Sequence, residues 1–172
     1  QERLGITTII VTHDQREAMT MSDEVVVMST ATVQQMGPPL EIYRNPTSAF
    51  VAEFIGTSNL IKGQLGDGSS IQINGETFKV DTTPDGVSAG DEIVVSVRPE
   101  DVHVFPHSNE GGNRLDGTVT FVRDVGASVE TFVDCEGLQV IAMATPKDRP
   151  DVNKGDLVKV ELPPESCVVL KA

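Results

Sequence analysis

The chain has 172 residues, a formal net charge of −13 at pH 7 and two cysteines. Its acidic balance argues against nucleic acid as a partner, because such a surface repels phosphate backbones. No apolar run approaches the roughly 20 residues that a bilayer-spanning helix needs. Cys135 and Cys167 lie far apart with no Cys or His beside them, which excludes a zinc ribbon and is typical of buried thiols in a reducing compartment.

The segment from residue 6 to residue 21 carries the strongest local signal. Residues 6–11 are β-branched and uniformly apolar, which predicts a short strand covered on both faces, as in a parallel sheet. A helix is predicted over 14–21, with Asp14 placed to cap its first amides. His13 is therefore predicted at the carboxyl end of a strand, where open α/β sheets bind ligands. Its imidazole could donate to a phosphate oxygen, or it could simply hydrogen-bond its own loop.

The other two histidines, His103 and His107, are four residues apart. Pro106 lies between them and argues against a helix that would place both on one face. We expect two solvent-facing loop residues and no metal site.

Five segments of the first 60 residues follow one another in a distinctive order. Thr-His-Asp-Gln at 12–15 precedes Glu-Ala-Met-Thr at 17–20 and a second apolar strand at 23–28. Residues 35–46 read Gln-Met-Gly-Pro-Pro-Leu-Glu-Ile-Tyr-Arg-Asn-Pro, and residues 50–56 read Phe-Val-Ala-Glu-Phe-Ile-Gly. Together they resemble the end of the nucleotide-binding domain of ABC transporter ATPases, in the subfamily that energises binding-protein-dependent importers.

The resemblance implies a role for His13. In that family the matching residue, the switch histidine, contacts the γ-phosphate of ATP and helps couple hydrolysis to closure of the ATPase dimer. It also implies that the intact protein uses ATP and magnesium, forms a homodimer of ATPase subunits and binds transmembrane permease subunits. Its expected location is the cytoplasmic face of the cell membrane, held there through the permease.

Three motifs that ATP hydrolysis needs do not occur in these 172 residues. They are the phosphate loop G-x-x-x-x-G-K-[ST], the apolar strand ending in Asp-Glu, and the Leu-Ser-Gly-Gly-Gln signature. We therefore expect the carboxyl-terminal part of a longer polypeptide, which alone binds no cofactor and does not hydrolyse ATP.

The composition changes near residues 56–59, and the chain beyond contains a repeat. Residues 90–104 align with 155–169 as a Gly-Asp turn, an alternating strand, a Pro-Glu corner and a short strand. Two units of one β-rich design are predicted, at about 59–105 and 114–170. Short strands with frequent turns indicate a small Greek-key barrel.

The corner Val97-Arg98-Pro99-Glu100-Asp101-Val102 and the strand at 119–126 resemble the TOBE (transport-associated OB) domain of importer ATPases. The predicted fold class is mainly β: a duplicated OB-like barrel preceded by an α/β remnant of a P-loop ATPase domain. The predicted domains are 1–57 and 58–172, and the resemblance implies that the second is regulatory or dimerising and non-catalytic. The alternative is an autonomous barrel that binds a small molecule, either an oxyanion or a polyamine.

A nucleic-acid-binding OB module is the weakest interpretation, because it would need aromatic platforms and a basic groove. We expect the barrel's phenylalanines to be core residues: Phe78, Phe105, Phe121 and Phe132.

Three further expectations concern the first 55 residues. Helical spacing predicts five buried apolar side chains: Ile42, Phe50, Val51, Phe54 and Ile55. The turn after residue 28 has Ala31 where the family usually has Gly, which is costly if that turn needs a positive φ. An exposed edge on the 6–11 strand would favour dimerisation or exchange of residues 1–55 between copies.

Overall fold

The computed structural model describes residues 5–107 and 111–172. Strands dominate the regular structure of these ranges, and the predicted mainly β fold class is confirmed. Residues 1–4, the first of the predicted ATPase remnant, lie outside the described part.

The amino-terminal part is a β-hairpin with three short helices around a small core of its own. This core contains Val25, Val27, Ile42, Val51 and Ile55, all buried. The elements are helix α1 (Gln15–Met21), strands β1 (Val25–Ser29) and β2 (Thr32–Gly37), and helices α2 (Pro39–Arg44) and α3 (Ala49–Ile55).

The predicted helix after His13 is confirmed together with its cap. Oδ1 of Asp14 accepts hydrogen bonds from the backbone N–H groups of Arg16, at 2.8 Å, and Glu17, at 3.2 Å. Two amide donors that lack partners within the helix are satisfied in this way.

The predicted strand at 6–11 is not formed, and its predicted burial is also wrong. Ile9 is 89% exposed and Val11 is 95% exposed. Among the described residues, β1 and β2 pair only with each other, so no strand lies beside this segment. High β propensity does not make a strand without a neighbour to accept and donate ladder hydrogen bonds.

Helix α3 buries one face, and the prediction for its two phenylalanines was wrong. Ile42, Val51 and Ile55 are buried as expected, whereas Phe50 is 40% exposed and Phe54 is 37% exposed. The two rings stack on each other with centroids 5.6 Å apart, as neighbours one turn apart on a helix do.

The rest of the chain forms two five-stranded antiparallel sheets around one shared core. The first sheet has the order β12-β6-β3-β4-β5 and the second β10-β9-β8-β11-β7. Each half also contains a single 3-10 turn within the described residues, η1 (Pro99–Asp101) and η2 (Pro164–Ser166), at the predicted Pro-Glu corners. The strands are β3 (Asn59–Leu65), β4 (Ser70–Ile73), β5 (Glu76–Lys79), β6 (Glu92–Val97), β7 (His103–Pro106), β8 (Arg114–Asp124), β9 (Val129–Cys135), β10 (Leu138–Ala144), β11 (Leu157–Glu161) and β12 (Val168–Lys171).

The two halves of the barrel exchange their last short strands. Strand β7 follows the first Pro-Glu corner but pairs with β11 in the second sheet. Strand β12 follows the second corner but pairs with β6 in the first sheet. The halves therefore interlock, and neither can complete its sheet without the other.

The duplicated Gly-Asp turns have matching geometry. Gly90 and Gly155 have φ values of 93° and 96°, a region that favours glycine. The Gly90 N–H donates to a strand carbonyl at 2.7 Å, and the Gly155 N–H does the same at 2.8 Å. In both turns the following Asp accepts a backbone N–H at 2.8 Å.

Only one of the four barrel phenylalanines is fully buried. Phe78 is 1% exposed and lies in the shared core. Phe105 and Phe132 are half-buried, and Phe121 is 54% exposed and packs against Phe132 with ring centroids 5.8 Å apart. The expectation of four core residues was therefore wrong for three of them. The alternation of apolar and polar residues along a strand predicts which face of the sheet a side chain lies on, but not whether other residues cover that face.

The β1–β2 turn holds two residues in the left-handed region. Thr30 has φ 48° and Ala31 has φ 59°. The turns of two barrel hairpins have a similar conformation but place glycine second: Gly75 at φ 80° and Gly137 at φ 85°. The predicted cost at Ala31 follows, because a Cβ is disfavoured there.

We predict that Ala31→Gly raises the free energy of unfolding by about 0.5–1 kcal/mol, since relief of the left-handed strain outweighs the added chain entropy of glycine. Ala31→Val should lower it, because a β-branched side chain is more strained at positive φ. Urea unfolding of both variants measures the difference. Destabilisation by Ala31→Gly would contradict the assigned turn.

Candidate functional site

His13 lies at the bend between residues 6–11 and helix α1, with its side chain exposed. The loop around it is fixed by other groups: Thr12 Oγ1 accepts from the Asp14 N–H at 2.9 Å and donates to Glu17 Oε2 at 2.8 Å. Within the described residues the imidazole makes no hydrogen bond, so it does not serve to hold its own loop. Its predicted place before a helix is confirmed, whereas its predicted place at a strand end is not.

The chemistry available at this position is limited to one imidazole that can donate to or accept from a ligand. The phosphate-cradling amides of a glycine-rich loop belong to a motif that these 172 residues do not contain.

The densest polar contact between the helices and the barrel centres on Arg98, whose exposure is 6%. Its Nη1 donates to the carbonyls of Ala52, Gly56 and Thr57 at 3.0, 3.1 and 3.2 Å. Its Nε and Nη2 donate to the Tyr43 carbonyl at 3.2 and 2.8 Å. The Ala52 carbonyl belongs to the last turn of α3, where carbonyls lack partners within the helix, so a barrel side chain caps this helix.

The Tyr43 ring completes the Arg98 contact. The guanidinium carbon lies 4.0 Å from the ring centroid, and the Tyr43 hydroxyl donates to Glu100 Oε1 at 2.5 Å. A side chain on Gly56 would bring a Cβ to 3.2 Å from the ring, so this position favours glycine for lack of space. We call these four residues, Tyr43, Gly56, Arg98 and Glu100, the Arg98 junction.

Burial, and secondarily the hydrogen bond to Glu100, raise the pKa of Tyr43 to about 12. Because this folded-state pKa lies above the ordinary value of about 10, the neutral hydroxyl stabilises the fold fully at physiological pH. That contribution is lost only as the pH rises from about 10. Burial also lowers the pKa of the Arg98 guanidinium, which still remains charged at neutral pH.

Sequence reasoning singled out Arg98 as a motif residue but missed what it binds. The partners are backbone carbonyls some 40 to 55 positions away in the sequence. Every residue has a backbone carbonyl, so the sequence does not indicate which of them Arg98 binds. The one available signal was an arginine between the valine-rich strand β6 and a Pro-Glu corner.

We predict that Arg98→Lys lowers the free energy of unfolding by about 2–4 kcal/mol, because one ammonium group cannot replace a planar fork bonded to four carbonyls. Tyr43 is the single tyrosine and the chain has no tryptophan, so intrinsic fluorescence during urea unfolding reports this contact directly. The matched control is Arg123→Lys, at an exposed arginine paired with Glu130, with an expected change within about 0.5 kcal/mol. Equal effects of the two substitutions would contradict the structural role of Arg98.

Two asparagines, also missed by sequence reasoning, close edges of the barrel sheets. The Asn59 side chain binds both backbone groups of Ile141 on edge strand β10, at 2.8 Å each. Asn113 does the same for Lys79 on edge strand β5, with distances of 2.7 and 2.8 Å. Each amide imitates one residue of a neighbouring strand and so occupies an edge that could pair with another chain.

The remaining predicted residues lie away from His13. His103 lies on β7 with an exposed side chain, so it is solvent-facing as predicted but is in a strand, not a loop. His107 is exposed, and its Nδ1 lies 3.2 Å from Asp116 Oδ1. Cys135 and Cys167 are buried free thiols, as predicted, and burial raises the pKa of each to about 12.

Within the described ranges, no helix combines the length and the apolar character that a membrane span requires.

Comparison with known proteins gives one family and several long alignments. Residues 95–170 match the TOBE domain family. The chain is 36% identical over 171 residues to the spermidine/putrescine import ATP-binding protein PotA of Acetivibrio thermocellus. It is 37% identical over 174 residues to the maltose/maltodextrin import ATP-binding protein MalK of Vibrio vulnificus. These alignments take in 99% and 97% of this chain but 46% of each relative, so the chain spans slightly less than half of their length.

A solved structure has a similar fold. It is the cytoplasmic molybdate-binding protein ModG with molybdate bound, with a TM-score of 0.58 and 17% sequence identity. The match covers 66% of this chain and 96% of that one. At this identity the likeness is one of fold.

Proposed function

We propose that the chain supplies the carboxyl-terminal part of an ATP-binding subunit of an ABC importer that carries a TOBE domain. Residues 1–57 complete the nucleotide-binding domain, and residues 58–172 form the TOBE domain, with OB-like repeats at about 59–105 and 114–170. The observation that carries the proposal is the alignment of nearly the whole chain with import ATP-binding proteins.

In this proposal His13 is the switch histidine of the intact subunit and contacts the γ-phosphate of ATP. Its exposed side chain and the capped start of α1 support the assignment. In the intact nucleotide-binding domain residues 6–11 gain the strand neighbours that they lack here, and the imidazole then lies at a strand end.

The proposed intact protein uses ATP with magnesium, forms a homodimer and binds permease subunits at the cytoplasmic face of the membrane. The 172-residue chain alone binds no nucleotide and hydrolyses no ATP, because the phosphate loop, the strand ending in Asp-Glu and the signature motif are not part of it. The barrel is regulatory or dimerising and performs no chemistry.

An autonomous barrel that binds an oxyanion or a polyamine is the second candidate. The likeness to ModG bears on its fold and not on its ligand, since sequence identity is 17%. We favour the first candidate because the alignments extend through residues 1–57, which an autonomous barrel would not need.

We predict that His13→Ala, made in the full-length subunit with its phosphate loop, lowers ATP turnover by roughly 100-fold, the usual effect of losing one group that stabilises developing charge. Nucleotide affinity should change much less, because the phosphate loop provides most of the binding. Steady-state phosphate release and nucleotide titration measure the two quantities.

The control for this experiment is His107→Ala in the same protein, because His107 is also exposed but lies in the barrel. It should hydrolyse ATP at the parental rate. Parental turnover in the His13→Ala variant would show that the role assigned to His13 is wrong.

A further inference from the structure

A cleft of about 460 Å³ is lined by both edge strands of the second barrel sheet, β7 and β10. Its volume lies within the range of small-molecule sites in proteins, roughly 300–1,000 Å³. We call it the β7–β10 cleft and ask which chemical class of ligand its side chains would hold.

Small side chains leave the volume of the β7–β10 cleft free. Ala142 and Ala144 line it from β10, and Thr131 lines it from β9, directly opposite Ala142. Val102 and Phe105 contribute larger apolar surfaces. A ligand with an apolar body is favoured there, because its entry removes apolar surface of both molecules from water.

Thr131 provides a polar group in this cleft that the fold itself does not use. The residue is 2% exposed, and within residues 5–107 and 111–172 its hydroxyl makes no hydrogen bond. The other buried polar side chains of these ranges, Asn59, Ser96 and Arg98, all have partners. No side-chain polar atom of the described residues is both sealed from solvent and unbonded, so the Thr131 hydroxyl reaches the open space of the cleft.

A ligand that bonds to Thr131 would gain more than the same ligand in water. A hydroxyl held away from bulk solvent without a partner is unfavourable, and a donor or acceptor brought by the ligand relieves this penalty. The position therefore favours a ligand with a polar end that can hydrogen-bond to a hydroxyl.

The charged groups of the cleft select a cation. Glu100 and Asp148 are the acidic side chains among its described lining residues, which include no lysine or arginine. Glu100 Oε1 accepts from the Tyr43 hydroxyl, and Asp148 Oδ2 accepts from the Thr145 hydroxyl at 2.6 Å. Each carboxylate has further lone pairs for a ligand, and the net charge of −13 repels an oxyanion.

We propose that the β7–β10 cleft binds a short aliphatic ammonium ion. The ammonium head lies at Glu100 and Asp148, the carbon chain lies along the apolar walls, and a polar group at the far end of the chain bonds to the Thr131 hydroxyl. The proposal rests on the regulatory role given above to the barrel, and it names the ligand class and the place of binding.

The position of Glu100 gives such binding a route to the helices. The carboxylate that lines the cleft is also the acceptor of the Tyr43 hydroxyl at the Arg98 junction. An ammonium ion at Glu100 draws on the same negative charge and weakens that hydrogen bond. Occupancy of the cleft thereby alters the contact between the barrel and helix α2, on which Tyr43 lies.

The first test titrates the 172-residue chain with three small probes and follows its backbone amides by NMR, which detects weak and local binding. Butylamine and 4-aminobutanol should give saturable shifts at the cleft residues Ser128, Thr131 and Ala144. Butyrate, which has a carboxylate in place of the ammonium head, should give none. The 4-aminobutanol probe should bind about fivefold more tightly than butylamine, the usual gain from one neutral hydrogen bond.

Two sets of variants locate the two ends of the ligand. Thr131→Val removes the unpartnered hydroxyl and should abolish the advantage of 4-aminobutanol while leaving butylamine affinity unchanged. Glu100→Gln/Asp148→Asn should weaken both amines at least tenfold. The matched control is Asp67→Asn/Glu92→Gln, which removes as much charge at exposed residues outside the cleft and should change affinity less than twofold.

Four results would each overturn the proposal. They are butyrate binding as tight as that of butylamine, no saturable shifts with either amine, an equal loss of affinity in the two double variants, and an advantage of 4-aminobutanol that persists in Thr131→Val. The first two need no variant, so they hold even if a substitution impairs folding. No ATP turnover is involved, so failure here leaves the ATPase assignment intact, and failure of the His13 experiment leaves this result intact.

Discussion

The guanidinium of Arg98 is the interaction on which the arrangement of this chain depends. The helices and the barrel have separate apolar cores, so hydrophobic packing within each does not fix one against the other. A buried arginine resolves this because it must satisfy its donors, and the nearest acceptors are the unpaired carbonyls at the end of α3 and that of Tyr43. The guanidinium donors of Arg98 and the unpaired carbonyls at the end of α3 thus satisfy each other's hydrogen-bonding capacity.

A second constraint acts inside the barrel. Each half ends in a strand that completes the other half's sheet. Asn59 and Asn113 each bind an edge strand of the sheet to which they do not belong. Two small units that bury little surface separately become one body with one core. The corner after β6 begins with Arg98, so the link to the helices starts at the point where the chain crosses between sheets.

Sequence reasoning was most successful where the physics is local. The cap at Asp14, the repeated Gly-Asp turns at Gly90 and Gly155, and the Pro-Glu corners each depend on a few adjacent residues. It failed where partners are distant. Residues 6–11 have the composition of a strand but no neighbouring strand to pair with. The exchange of β7 and β12 was also missed, because the two sheets are similar and no local sequence pattern indicates which of them each strand joins.

The candidate site divides in the same way. His13 was found because an unusual string of residues surrounds it, and its place before a capped helix followed from that string. The partners of Arg98 were not found, because a side chain that binds backbone carbonyls can be anticipated only from the fold. The exposure of Phe50 and Phe121 was also missed, since periodicity identifies a face but not what covers it.

Arg98 holds the end of helix α3 against the barrel. Amide hydrogen exchange in the Arg98→Met variant tests it most directly, because exchange resolves local opening. We expect exchange to be at least tenfold faster for the amides of residues 49–57 and unchanged for those of β8 and β9. Unchanged protection of residues 49–57, or an equal loss throughout the barrel, would contradict it.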